Sequence, residues 1–228
     1  MVKIINSGKN PAEINMELDQ KFLYELDQDD FPLIHFYNFE NPAATYGYFL
    51  KPEIFLKQGH GLNLARRPTG GGILFHLWDL TFSILIPKNH HAYSDDVMKN
   101  YKTINDLVLL AISKYLKTPL INLLPESPVV FDEVANNFCF AKPTKYDVMI
   151  DGKKVAGAAQ RRKKNGFLHQ GSISMHMPDF NFLTQIFPDD SSIIPAMQAY
   201  TYALTTGNLD EEKRELGAIL EDLFVKAF

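Results

Sequence analysis

The dipeptide Asp151-Gly152 constrains this chain most, because it stands between two runs of strand-forming residues, Tyr146 to Ile150 and Lys153 to Ala159. A two-residue hairpin loop favours positive φ at both positions, which Asp-Gly adopts at little cost, so the flanking runs are predicted to pair antiparallel. Upstream, Ser94 precedes Asp95 and Asp96, and Val97, Tyr101, Ile104, Val108, Ala111, Ile112 and Tyr115 mark one face of a long helix that stops before Pro119. Ile14, Leu18, Phe22, Leu23 and Leu26 recur at helical spacing behind Asn10-Pro11, which predicts a first helix over 12–26. Leu33 to Phe39 and Ala43 to Phe49 read as strands joined by a turn at Asn41-Pro42. Leu62 to Arg67 and Ile73 to Ile86 read as further strands, the latter ended by Pro87. After a loop carrying Pro125 and Pro128, and after the hairpin, a strand pair is expected near Phe167 to Met175, with helices over Met177 to Phe187 and Leu209 to Phe228. Hairpins interleaved with separate helices predict an α+β fold, a mixed β-sheet flanked by helices, rather than regular βαβ winding.

A chain of 228 residues with 46% apolar content can bury a full core as a single domain over 1–228. The net charge of −4 gives no global positive field for nucleic acid or an anionic membrane. A single cysteine excludes an intrachain disulfide framework. No segment approaches the length of a membrane span and Met1 to Lys9 lacks the apolar run of a signal peptide, so a cytoplasmic location is expected.

Two stretches carry chemistry. In Arg66-Arg67-Pro68-Thr69-Gly70-Gly71-Gly72, two guanidinium groups precede three residues able to bring bare backbone close to a ligand. An amide-lined concavity beside an arginine fork suits phosphate or carboxylate. A flexible loop with solvated arginines is the alternative, and the typical nucleotide-binding spacings are absent. His76, four residues after Gly72, is either structural or a donor to an acyl carbonyl or phosphate. The second stretch follows the hairpin turn: Lys153-Lys154-Val155-Ala156-Gly157-Ala158-Ala159-Gln160. With Val155 inward, alternation sends Lys154, Ala156 and Ala158 to the other face, a cation above a floor of small side chains. Such a cation can neutralise an oxyanion formed in acyl transfer, or it can be a solvated turn residue. The run Arg161-Arg162-Lys163-Lys164 is either a solvated loop or a guide for an acidic protein.

These stretches together resemble the lipoate–protein ligase and octanoyltransferase family, part of the biotin/lipoate ligase catalytic domain superfamily. The likeness runs in order through the first helix, Phe36-Tyr37, Ala44-Thr45-Tyr46-Gly47, Arg66 to His76, Leu80-Thr81-Phe82-Ser83, Tyr146-Asp147, Lys154 to Gln160 and Gly171-Ser172. The resemblance implies a mixed sheet holding an acyl chain in an apolar tunnel. It implies substrate-binding roles for Arg67, Thr69, Gly70, Gly71, Gly72, Ile73, Leu74, Phe75, His76, Gly157, Ala158, Ala159 and Gly171, and an essential Lys154. Two chemistries follow. As a ligase, which the three-glycine form of the loop favours, the chain uses ATP with Mg2+ to turn lipoate into lipoyl-adenylate. As an octanoyltransferase it needs no cofactor, and Cys139 carries the acyl group as a thioester from acyl carrier protein. A noncatalytic module binding a lipoyl domain or an acyl-adenylate is the third reading. The implied acceptors are lipoyl domains of 2-oxoacid dehydrogenase acyltransferase subunits and the glycine-cleavage H protein. The length after Pro188 leaves no room for a large C-terminal accessory domain, so a ligase of this form is expected to draw on an accessory subunit or on pre-activated lipoyl-adenylate. Relative to the family pattern, Leu77-Trp78 replaces the acidic residue after the loop histidine, and His169-Gln170 stands in inverted order.

Overall fold

The computed structural model describes residues 1–118, 121–127, 137–188 and 191–228. Its strands are β1 (Lys3–Asn10), β2 (Leu33–Phe39), β3 (Ala43–Tyr46), β4 (Asn63–Arg66), β5 (Ile73–His76), β6 (Asp79–Pro87), β7 (Asn122–Leu123), β8 (Val148–Ile150), β9 (Lys153–Lys163) and β10 (Gly166–Ser174). The helices are α1 (Ala12–Glu25), α2 (Val97–Leu116), α3 (Phe180–Ile186), α4 (Ile193–Tyr200) and α5 (Leu209–Ala227). Seven strands form one mixed sheet in the order β1-β2-β6-β10-β9-β8-β7, and β4-β3-β5 form a small second sheet.

The Asp151-Gly152 turn forms as expected, with φ of 50° and 75°, and pairs β8 antiparallel with β9. The start of α2 is capped by Asp96, whose side chain accepts from the N–H groups of Met98 and Lys99. Its far end closes on Lys117 in a left-handed conformation, while Pro119 and Pro128 lie outside the described residues. Helices α2 and α5 pack on one face of the large sheet, where Ile104, Val108 and Ile112 meet Phe82, Leu216, Leu220 and Phe224. Helix α1 covers part of the other face through Leu23 and Leu26 on Leu85 and Leu168. The small sheet is backed by α3 and α4 through Ile73, Phe75, Phe138, Leu183 and Met197.

Three expectations change. The run from Ile73 to Ile86 is two strands in different sheets: the chain breaks at Leu77-Trp78, where the Trp78 carbonyl accepts from the N–H groups of Met175 and His176. Strand-forming residues continue on both sides of the break, so the sequence gives no local sign of which sheet each half joins. The strand predicted to reach Phe49 ends at Tyr46, because Gly47 turns against the glycine loop, where a Cβ would overlap the Gly71 carbonyl. The third change is in β9. Met149 pairs with Lys154 but Val148 pairs with Ala156, so Val155 is an extra, bulged residue. Val155 and Ala156 both enter the core, and Lys154 shares the cleft with Gly157 instead of facing the same way as Ala156. Strand β1, largely exposed and polar, and the short α4 were not anticipated.

Candidate active site

A cleft opens where the two sheets meet, lined by residues of both. Of the residues singled out in the sequence, it brings together Arg67, Gly71, Leu74, His76, Cys139, Lys154, Gly157, Ala158, Ala159 and Gly171. Thr69, Gly70, Gly72, Ile73 and Phe75 do not line it. Ile73 and Phe75 instead face a small, mostly apolar adjoining pocket, which shares Leu74 and Phe140 with the cleft as a common wall.

The glycine loop is organised from within by Arg67. Its Nη1 donates to Thr45 O at 2.9 Å and Thr45 Oγ1 at 2.8 Å, and its Nη2 donates to Gly70 O at 3.1 Å and Gly72 O at 2.7 Å. The same Nη2 stands 3.8 Å from Cys139 Sγ. The fork expected to be free is therefore occupied by Thr45 of β3 and by two carbonyls of the loop, with the Cys139 sulfur beside Nη2. Gly71 has φ of 92°, and a Cβ there would lie 3.9 Å from Cys139 Sγ and 3.2 Å from Arg67 Nη2. Only glycine meets both demands at that position. Gly72 packs flat on the Asn137 carbonyl. Thr69 Oγ1 donates to Gln170 Oε1 at 2.7 Å, which ties the loop to β10.

Lys154 is 4% exposed. Its Nζ lies 2.8 Å from Asp147 Oδ2 and donates to the Cys139 carbonyl at 2.8 Å. Asp147 is fully buried; Thr144 donates to it through its N–H and its hydroxyl, and the Tyr101 hydroxyl lies 3.0 Å from its Oδ1. Burial pushes the Tyr101 phenol well up, and the Asp147 charge beside it adds to the shift. Tyr146, just before the carboxylate, has a left-handed φ of 67°, a conformation that costs a bulky residue about 1–3 kcal/mol. Gly157 makes the ion pair possible: a Cβ there would stand 2.6 Å from Lys154 Nζ and 2.8 Å from Asp147 Oδ1.

His76 lies 2.7 Å from Thr45 Oγ1 through Nε2 and 2.9 Å from Asp79 Oδ2 through Nδ1, with its ring stacked on Phe39. The acidic partner missing at Leu77-Trp78 is thus supplied by Asp79, three positions on. Burial opposes the Asp79 charge, but His76, Lys213 and the Ser172 hydroxyl together hold the carboxyl below its usual range. The His169-Gln170 order also becomes intelligible. Gln170 faces the cleft, donating through Nε2 to Asp19 Oδ2 at 2.7 Å, while His169 lies on the opposite face between Phe82 and Tyr101. Gly171 leaves room for the Phe82 ring. Asp19 is held by His35, Tyr37, Ser83 and Gln170 in a fully buried cluster. Sequence reasoning missed Asp19, Thr45, Tyr101, Gln170 and the pairing role of Asp147. The only local signal was a polar residue inside an apolar run, as at Thr81 and Ser83.

A thiol and an ion-paired ammonium facing one apolar-backed cleft, under an amide loop, define a class of protein built for acyl-group transfer. The chain belongs to the lipoyl protein ligase A/B catalytic domain family, whose profile matches residues 11–215. Among curated relatives, it is 32% identical over 187 residues to octanoyltransferase LipM of Geobacillus kaustophilus, a match covering 78% of this chain and 66% of that protein's length. It is 28% identical over 236 residues to octanoyltransferase LipM of Staphylococcus aureus, covering 98% of this chain and 84% of the relative. The fold is shared with a bi-partite lipoate protein ligase of Thermoplasma acidophilum, solved in work on that ligase and its E2 lipoyl domain, at a TM-score of 0.69 and 20% identity over 98% of this chain and 84% of that one. No helix among the described residues is long and apolar enough to cross a membrane.

Proposed function

We propose that the chain is an octanoyltransferase that moves an octanoyl group from the thioester of an acyl carrier protein to a lysine of a lipoyl domain, through a thioester on Cys139. The observation that carries this reading is the position of Cys139. Its sulfur opens on the cleft 3.8 Å from the Arg67 guanidinium, and its carbonyl is held by Lys154. The names of the curated relatives lend support. So does the engagement of Arg67 by loop carbonyls, because a nucleotide phosphate would have to break those bonds to use the fork. The ligase reading gives way to this one.

In the first half-reaction the Cys139 sulfur attacks the donor carbonyl, a new C–S bond forms, and the donor thiol leaves with the proton. In the second, the acceptor amine attacks the Cys139 thioester, an amide forms, and the thiol is restored. Both pass through an oxyanion. The Gly71 backbone, whose glycine conformation turns it close to the sulfur, and the Lys154 ammonium, oriented by Asp147, would stabilise that charge. Leu74 and Phe140 would direct the acyl chain into the mostly apolar pocket behind them. Acceptors of the class implied by the sequence are lipoyl domains of 2-oxoacid dehydrogenase acyltransferase subunits and the glycine-cleavage H protein.

Intact-mass spectrometry tests this. Octanoyl-acyl carrier protein should add one octanoyl group to the wild-type chain and none to Cys139→Ser, and a lipoyl domain should then accept it. Full transfer by Cys139→Ser, or modification only with ATP, Mg2+ and lipoate, would overturn the proposal in favour of the ligase.

A further inference from the structure

Beside the cleft, three cations stand without an acidic partner among the described residues. Arg66 and Arg161 lie on the same aromatic ring, their guanidinium carbons 4.7 Å and 4.8 Å from the centroid of Tyr48. Lys163 lies 4.3 Å from the ring centroid of Tyr24 and donates to its hydroxyl at 3.2 Å. Among the described residues, no carboxylate comes within 4.0 Å of any of the three; the nearby Arg162 pairs with Asp95, and Lys21 with Glu25. Strand periodicity builds the row, since Ala159 lines the cleft and Arg161 and Lys163 follow it on the same face of β9. The row is fastened to the glycine loop: Arg161 Nη1 donates to Pro68 O at 2.8 Å, and the Tyr48 N–H donates to Thr69 O at 2.9 Å. Phe49, next to Tyr48, is 91% exposed.

Clustered arginine, tyrosine and phenylalanine on a surface are the usual anchors of a protein interface. The charge also decides what kind of lysine can approach. An acceptor amine that approaches over this side passes Arg66, Arg161 and Lys163 before a cleft that already holds Arg67 and Lys154. A lone ammonium meets like charge all the way, whereas a lysine standing among carboxylates does not.

We infer that the Arg66–Tyr48–Arg161 stack, with Lys163 and Phe49, is the docking surface for the acyl-accepting protein, and that it selects a domain whose target lysine is surrounded by acidic residues. This rests on the acyl-transfer reading above. The catalytic steps do not use this surface, so loading and delivery separate cleanly. The variants Arg66→Glu/Lys163→Glu and Phe49→Ser leave Arg161 in place to brace the loop. Each is to be loaded with octanoyl from a small-molecule thioester and from octanoyl-acyl carrier protein, then chased with a lipoyl domain at low and high salt.

The expected result is unchanged Cys139 loading from both donors. Delivery kcat/KM of the charge-reversed variant should fall by about tenfold or more at low salt, through KM, and high salt should narrow its gap to wild type. Unchanged delivery by both variants would overturn the inference. So would a loss confined to loading from acyl carrier protein, which would assign the surface to the donor. Failure of the wild type to load or deliver would overturn the acyl-transfer reading itself, and this inference with it.

Discussion

Arg67 and Lys154 are both buried, both face the cleft and both touch Cys139, yet they are compensated in opposite ways. The guanidinium is surrounded by neutral acceptors, the carbonyls of Thr45, Gly70 and Gly72 and the Thr45 hydroxyl, with no carboxylate within 4.0 Å among the described residues. The ammonium has Asp147 at 2.8 Å. A cation solvated by dipoles keeps its net charge for whatever anion forms beside it. One paired with a carboxylate is locally neutral and acts through direction. On the acyl-transfer reading, Arg67 would hold the glycine loop beside the Cys139 sulfur, and Lys154, fixed by Asp147 and the Cys139 carbonyl, would aim its N–H at the oxyanion.

Asp147→Asn should break the contrast most strongly, because it leaves Lys154 buried without its counter-charge, at a cost of about 3–5 kcal/mol. Urea unfolding measures this, and the double variant Asp147→Asn/Lys154→Met should recover much of the loss while staying inactive. Next is Arg67→Ala, expected to slow Cys139 loading by about a hundredfold in single-turnover assays. Equal damage from Arg67→Lys would sharpen the point that the fork, and not charge alone, holds the loop. Gly157→Ala should cost about 1–3 kcal/mol through overpacking against Lys154. Gly70→Ala, where a Cβ meets nothing within 4 Å, should be nearly silent.

Between Gly157→Ala and Gly70→Ala in size falls the effect of His169, buried on the far side of the sheet, where desolvation lowers its pKa from 6.5 to about 3. Among the described residues its Nε2 has no hydrogen-bond partner. The unfolded chain takes up a proton at this ring below about pH 6.5 and the folded chain does not until about pH 3. Its contribution to stability is therefore complete above the unfolded value and falls with decreasing pH. Going from about pH 7.5 to about 5.5 should cost about 1 kcal/mol more in the wild type than in His169→Phe, read from denaturant midpoints.

How far the sequence could be read follows the range of the interactions involved. The Asp151-Gly152 turn, the capped face of α2 and the amphipathic α5 depend on neighbours within a few residues, and all were legible. The glycine loop and Lys154 were legible through their family order. What Arg67 bonds to was not, because its acceptors include Thr45, twenty-two positions away, and its own loop's folded backbone. The break at Leu77-Trp78 is invisible in a strand-forming stretch that feeds two sheets. Asp19, Tyr101 and Gln170 look like ordinary helix and strand residues until distant segments bring their partners.

The bulge at Val155 works as a phase slip. Beyond it, Gly157, Ala159, Arg161 and Lys163 keep one beat, from the cleft out to the charged rim; before it, Lys154 would fall on the opposite beat and point into the core beneath α2. One surplus residue lets a single strand seat an ammonium in the cleft and still carry its row of cations on the same side. Shortening the strand by that residue would separate these two properties without altering any of the side chains that provide them.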